Sequence, residues 1–132
     1  MRATTYGVGE LLSRAIKRGC RNFIIGLGGT ATSDAGIGMI KALVDIFARG
    51  KNFDEALKTE LGECRFTLAC DVDNPLCGEN GAAHVYGPQK GATPEQVETL
   101  DGRLRAFAKA TEQAGRATPE LAFSSGAGAA GG

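Results

Sequence analysis

Two short stretches concentrate the residue types that handle charged oxygen ligands. The first is GLGGTATSDAG, Gly26 to Gly36. Glycines let backbone N–H groups approach an oxyanion closely, and the hydroxyls of Thr30, Thr32 and Ser33 add further donors. Gly28, Gly29, Thr30, Thr32 and Ser33 are therefore candidate phosphate- or substrate-binding residues. Asp34 is the only charged side chain in the stretch. It suits a magnesium ion or the proton of a substrate hydroxyl, although Asp34 and Ser33 would equally cap a helix beginning near Gly36. The second stretch is Asp71-Val72-Asp73-Asn74, where two carboxylates and an amide could share magnesium or grip a polyhydroxy substrate. An ordinary turn started by Asn74-Pro75 explains the same residues without a ligand. Asp34, Asp71 and Asp73 are the candidate catalytic residues, with Asp34 and Asp73 the candidate magnesium ligands. Gln89 and Lys90 sit in a loop braced by Pro88 and Gly91. Lys90 suits a phosphate or a carboxylate, but an exposed loop lysine is commonly just solvated.

Other chemistries fit less well. The P-loop pattern requires a lysine directly after its second glycine, and here none follows until Lys41. A dinucleotide fingerprint can be threaded through Gly26, Gly28 and Ala31. Its helix would then start several residues late, and the nearest downstream acid, Asp45, falls within a helical stripe. Cys20, Cys64, Cys70 and Cys77 contain no CxxC pair, so they read as reduced, mostly buried thiols rather than a zinc site. His84, the one histidine, has no acid at helical spacing and reads as a packing or surface residue.

Bulk properties narrow the class. The chain has 132 residues, suited to one domain, with 42% hydrophobic and 23% charged residues. Fifteen basic and fifteen acidic side chains leave no net charge, which argues against a nucleic-acid partner and removes some protection against self-association. The opening residues are polar, and no apolar run approaches a membrane span, so a soluble cytoplasmic protein is expected.

The elements that must position these residues are legible from periodicity. Val8, Leu11, Leu12, Ala15 and Ile16 form a helical stripe, with Glu10 in its first turn, Lys17 and Arg18 in its last, and Gly19 as its stop. Phe23-Ile24-Ile25 reads as a short buried strand entering the glycine-rich stretch. A second stripe, Ile37, Ile40, Leu43, Val44 and Phe47, closes at Arg49-Gly50. Phe53 to Leu61 is a short helical candidate, and Arg65 to Cys70 a second buried strand ending at Asp71. Asp71 to Ala92 is loop-rich, with a turn or two of helix over Ala82 to Tyr86. Thr93-Pro94-Glu95-Gln96 announces a helix with Thr at the cap and Pro at its first position, carrying Val97, Leu100, Leu104 and Phe107 and ending at Gly115. Gly102 inside it costs roughly 1 kcal/mol relative to Ala. Ser124 to Gly132 is almost all small residues and is expected to be a flexible tail behind one α/β unit over 1–123. Two strands alone seldom make a stable sheet.

Five blocks in order carry a family resemblance: TTYGVGEL (Thr4 to Leu11), IIGLGGTATSDAG (Ile24 to Gly36), ACDVDNPLCGENGAA (Ala69 to Ala83), YGPQKGATPE (Tyr86 to Glu95) and GAGAAGG (Gly126 to Gly132). The chain resembles a central portion of the type I glycerate kinases. That resemblance implies ATP and D-glycerate as partners, Mg2+ as cofactor, a phosphoglycerate product, and a two-domain α/β enzyme of which this is part. The fold class expected here is accordingly α/β, with a small, mainly parallel sheet and flanking helices. The resemblance also implies that Gly28 to Asp34 lines the phosphate or glycerate site, with Asp71 to Asn74 facing the same cleft. Three departures stand out. Ser33 and Ala35 replace the Asn and the first of the two closing glycines of the family loop, closer to GGSATNDGG. The stretch from Leu43 to Cys64 is short. The family's opening strand and its later acid-containing glycine-rich block have no counterpart. A chain holding one side of a cleft is expected to be inactive alone and prone to form homo-oligomers. The alternatives are a non-catalytic remnant and a dinucleotide-binding module.

Overall fold

A computed structural model describes residues 3–49, 53–115 and 120–131. Gly50, expected to close the second helix, and Gly132, at the end of the expected tail, lie outside them. The element order is α1 (Tyr6–Lys17), β1 (Asn22–Leu27), α2 (Ile37–Phe47), α3 (Phe53–Ala56) running into a π-turn over Leu57–Leu61, and β2 (Arg65–Cys70). It continues through α4 (Ala82–Tyr86), a 3-10 turn over Pro88–Lys90, α5 (Pro94–Gln113), a second 3-10 turn over Leu121–Phe123, and α6 (Ala127–Gly131). The chain divides into two compact units, one of Met1–Gly26 with Gly36–Ala69 and one of Leu27–Ala35 with Cys70–Gly132, where the sequence suggested a single unit and a tail.

In the first unit α1 packs on α2 because both carry an apolar stripe. Leu12 and Ile16 of α1 and Ala42 and Leu43 of α2 are buried. Gly9 sets how closely the helices approach: a Cβ there would run into the Met39 carbonyl oxygen and come within 2.7 Å of the Ala42 Cβ. Ser13 is buried without penalty because its hydroxyl donates to the Gly9 carbonyl at 2.7 Å, and the Met39 N–H donates to Thr5 Oγ1 at 2.9 Å. Helix α1 begins two residues before the apolar stripe, so Glu10 falls outside its first turn, which holds no acidic residue.

The sheet of the described residues has two parallel strands, β1 beside β2. Phe23 and Phe66 stack across it with ring centroids 5.1 Å apart. The expectation of buried strands is not met. Ile24 is 83% exposed and Leu68 58%, and every residue of β2 is exposed. Alternation and β-branched content report that a segment fits a pleated ladder, not that something covers it.

The second unit is built on α5. Val97, Leu100 and Leu104 pack with Leu76, Cys77, Ala82 and Ala83, and Tyr86, Ala92, Ala35 and Ala127 join from the margin. The start of α5 follows the sequence signal closely: Thr93 Oγ1 accepts from the Gln96 N–H and Gln96 Oε1 accepts from the Thr93 N–H, a complete capping box with Pro94 behind it. All four cysteines are free thiols, but Cys20 and Cys70 are exposed, so only Cys77 is fully buried as expected. The tail expectation also changes. Residues 127–131 form a helical turn, Gly128 and Ala129 are buried, and the Gly128 N–H donates to the Asn74 carbonyl at 2.8 Å. Glycine-rich composition signals freedom in isolation, whereas here the missing Cβ is what permits close backbone approach.

Candidate functional site

The glycine-rich loop leaves β1 at Leu27 and turns at Gly29, whose φ of 61° is the left-handed region that glycine enters without strain. A Cβ built at Gly28 or Gly29 would meet nothing within 4 Å, so this face of the loop is open. Among the described residues, no backbone carbonyl accepts a bond from the amides of Gly29, Ala31 or Ser33. The loop ends in a second left-handed pair, Ala35 at φ 50° and Gly36 at φ 73°, before α2 starts at Ile37. Helix α2 thus begins well after the glycines, and its capping position is Gly36, which has no side chain. A dinucleotide-type helix directly behind the glycines is absent among the described residues.

Lys90 comes to this loop from a distant part of the sequence. The 3-10 turn Pro88–Lys90 begins with proline and closes at Gly91, φ 83°. From it Lys90 Nζ donates to the Thr32 carbonyl oxygen at 2.8 Å and to Thr30 Oγ1 at 3.2 Å. Burial pushes the Lys90 pKa below the ordinary lysine value, because desolvation penalises the ammonium form. Gln89, beside it, is exposed. Of the predicted site residues, Lys90, Thr30 and Thr32 are brought into direct contact.

The acidic loop forms a second group. Asp71 and Asp73 are exposed at the end of β2, and Asn74 is half-buried. The Asn74 side chain is engaged at both ends: its Nδ2 donates to the Asn80 carbonyl at 2.9 Å, and its Oδ1 accepts from the Tyr86 hydroxyl at 2.5 Å. Those bonds hold the Asn74 side chain within the loop. Tyr86 keeps its proton for that bond, its pKa raised first by burial and then by the charges of Cys70 and Asp71. Asp73 Oδ1 accepts from the Ser125 hydroxyl at 3.1 Å. Sequence reasoning missed Tyr86, Ser125 and Gly128. The one available signal was the density of small residues in SSGAGAAGG, which marks close backbone approach as readily as flexibility.

A buried polar cluster lies behind the acidic loop. Asp101, its side chain 8% exposed, accepts from the Gly78 N–H at 2.7 Å and from Arg105 Nε at 2.7 Å. Burial pushes its pKa up, but those two bonds and the charges of Arg105 and His84 leave it net below the ordinary carboxylate range. His84 does have acid partners, supplied across helices rather than along one: Nε2 lies 3.2 Å from Glu98 Oε1 and Nδ1 3.9 Å from Asp101 Oδ1. In the first unit a groove of about 300 Å3 is lined by Glu10, Ser13, Arg14, Lys17, Ile46 and Arg49, none of them a predicted site residue.

No group of three or more His, Cys, Asp or Glu side chains suited to a metal exists among the described residues. An all-protein metal cage therefore does not fit. A magnesium ion carried by nucleotide phosphates asks for only one or two carboxylates, a requirement that Asp34 and Asp73 can meet in number and type.

The family model of the glycerate kinase family matches residues 1–132, the whole chain. The chain belongs to the glycerate kinase family. A glycerate kinase of Haemophilus influenzae is 42% identical over 98% of this chain, and a glycerate 2-kinase of Escherichia coli is 38% identical over 98%. A crystal structure described as that of a glycerate kinase 2 from Salmonella typhimurium LT2 superposes with a TM-score of 0.80 at 38% identity, again over 98% of the chain. The chain spans 38% of the length of those two glycerate kinases and 39% of the crystallised one. No described helix is long and apolar enough to cross a membrane.

Proposed function

We propose that this chain supplies the phosphate-facing part of a glycerate kinase site, for ATP-dependent phosphorylation of D-glycerate to phosphoglycerate in the cytoplasm. The observation carrying the proposal is Lys90 Nζ held against the glycine-rich loop at Thr32 O and Thr30 Oγ1. Phosphoryl transfer asks a protein mainly for positioning and charge neutralisation. The loop from Gly28 to Ser33 offers backbone N–H groups and hydroxyls to equatorial phosphate oxygens or to the glycerate carboxylate. Lys90 adds a cation whose partial desolvation strengthens its pull on an anion. Asp34, half-buried at the end of the loop, is suited to accept the proton of the attacking glycerate hydroxyl. Asp71 and Asp73 border the ligand from the acidic loop, and the exposed Gln89 amide is suited to donate to a glycerate oxygen. Mg2+, when bound with the nucleotide, neutralises phosphate charge, and Asp34 and Asp73 are the side chains that would hold it.

The test is ADP formation dependent on glycerate and magnesium. The 132-residue chain alone is expected to give none, because groups from the other side of a cleft are required. A hybrid in which residues 1–132 replace the matching segment of the Haemophilus influenzae relative is expected to turn over. In that hybrid Lys90→Met should reduce kcat/KM by about 100-fold, the scale of one oxyanion-stabilising group. Wild-type rates in the Lys90→Met hybrid would remove Lys90 from the site. Turnover by the chain alone would overturn the claim of incompleteness.

A further inference from the structure

The end of the chain and the acidic loop are tied by contacts that sequence separation hides. The Gly128 N–H donates to the Asn74 carbonyl at 2.8 Å, and the Ser125 hydroxyl donates to Asp73 Oδ1 at 3.1 Å. The Cys70 thiol reaches toward the Gly126 carbonyl at 3.8 Å. Glycine is required at two of these positions for different reasons. At Gly128 a Cβ would collide with the Pro75 carbonyl oxygen and lie 2.7 Å from the Asn74 carbonyl oxygen, so any side chain pushes the two segments apart. At Gly126 φ is 83°, and a Cβ would stand 3.3 Å from the Val72 carbonyl oxygen. Ala127 packs at the margin of the α5 core and Ala129 is buried, which anchors the turn to the rest of the unit. From the other side Tyr86 and Asn80 hold the Asn74 amide.

We propose that Ser125 and Gly128 are positioning residues: the glycine-rich segment 125–128 is a brace that fixes the Asp73 carboxylate and the backbone of Asn74 in the ligand-facing loop. The brace acts through Asp73 and Asn74 and touches no ligand itself. Its functional meaning rests on the reading of Asp73 as a ligand-facing residue. Exposed Asp73 would otherwise sample several rotamers, and a hydroxyl donor on one oxygen restricts them while leaving the second oxygen to accept from a hydroxyl or bind a cation.

Amide hydrogen exchange on the 132-residue chain, read residue by residue by NMR, tests the brace. Ser125→Ala should speed exchange at the Gly128 amide, which donates to the Asn74 carbonyl across the brace, by about fivefold, the weight of one hydrogen bond, and Ser125→Thr should restore protection. Gly128→Ala should speed it by at least about tenfold, since it adds a steric conflict to the lost bond. Leu100 and Leu104 in the α5 core should be unaffected, which separates local release from general destabilisation. Unchanged exchange at the residue-128 amide in both variants would overturn the brace, as would equal acceleration throughout α5. Asp73→Asn in the hybrid with the Haemophilus influenzae relative, read by kcat and the KM for glycerate, examines the underlying reading separately. A protected residue-128 amide together with wild-type kinetics in the Asp73→Asn hybrid would sink the ligand role of Asp73 and leave the brace standing.

Discussion

Lys90 Nζ lies 2.8 Å from the carbonyl oxygen of Thr32, so a lysine from the turn after α4 rests on the glycine-rich loop that follows β1. The contact gives the loop a fixed cation without a lysine in the loop itself. It differs in this from the P-loop arrangement, where the cation follows the glycines directly.

Because burial depresses the Lys90 pKa, this side chain should lose its proton before the exposed lysines as pH rises. Between its lowered value and the ordinary 10.5 the unfolded chain binds the extra proton, so this group's contribution to stability rises with pH across that window. Anion affinity runs the other way: it is present below the Lys90 pKa and lost above it. A heteronuclear titration of the lysine ε-carbons should find Lys90 titrating first, and added ATP should move it upward. Lys90 titrating together with the exposed lysines would contradict both statements.

Asp101 couples α5 to the Cys77-Gly78 turn by accepting from the Gly78 N–H, and Arg105 Nε, one turn along the same helix, holds its other oxygen. With its folded pKa net lowered, its stabilisation is present above the ordinary carboxylate value and is lost as pH falls through the depressed one. Asp101→Asn should cost about 2 kcal/mol at neutral pH, the usual weight of charge-assisted buried bonds. It should also flatten the acid limb of stability against pH. Urea unfolding from neutral to acid pH measures both, and an unchanged acid limb in the variant would refute the assignment.

Ala35 holds φ at 50° without being glycine, at a position where the resembled family loop carries one. The left-handed region costs an L-residue about 1–2 kcal/mol, and a β-branched side chain tolerates it worst. Ala35→Val should therefore lower stability by a further 1–2 kcal/mol or so. Ala35→Gly should stay near the wild type, because relief of strain offsets the roughly 0.4–1 kcal/mol of added freedom in the unfolded chain. Denaturant midpoints ranked Gly at or above Ala and far above Val would bear this out. A Val variant as stable as wild type would not.

Helices α1 to α5 were legible because their signals are local, whereas α6 lay in a stretch read as a tail. Thr93, Pro94 and Gln96 specify the start of α5 within one turn, and the stripe through Val97, Leu100 and Leu104 specifies its buried face. Both strands were found, since alternation is also local, but their exposure was not, since burial depends on what packs against them. The same limit explains the site. Lys90 could be marked as a candidate cation from composition, yet its seat on Thr30 and Thr32 depends on tertiary folding. Ser125 and Gly128 carried no chemical signal and gain their role only through Asp73 and Asn74, which lie far away in sequence. His84 was judged by spacing along one helix, while its carboxylates come from another.

The two-stranded sheet has exposed apolar side chains on both faces, Leu68 and Phe66 (39% exposed) on the face of the Phe23–Phe66 stack and Ile24 on the other. Water in contact with that surface favours any arrangement that covers it, by about 25 cal/mol for each Å2 removed. With no net charge there is little long-range repulsion to oppose association. The 132-residue chain should therefore form homo-oligomers as its concentration rises. Ile24→Lys should shift it toward monomer, because a charge at an exposed strand position blocks sheet-to-sheet contact. Sedimentation velocity over a concentration series distinguishes the outcomes. A wild-type chain that stays monomeric throughout would mean that this sheet is not an associating surface, and an Ile24→Lys variant that associates as strongly would mean that the face carrying Ile24 is not.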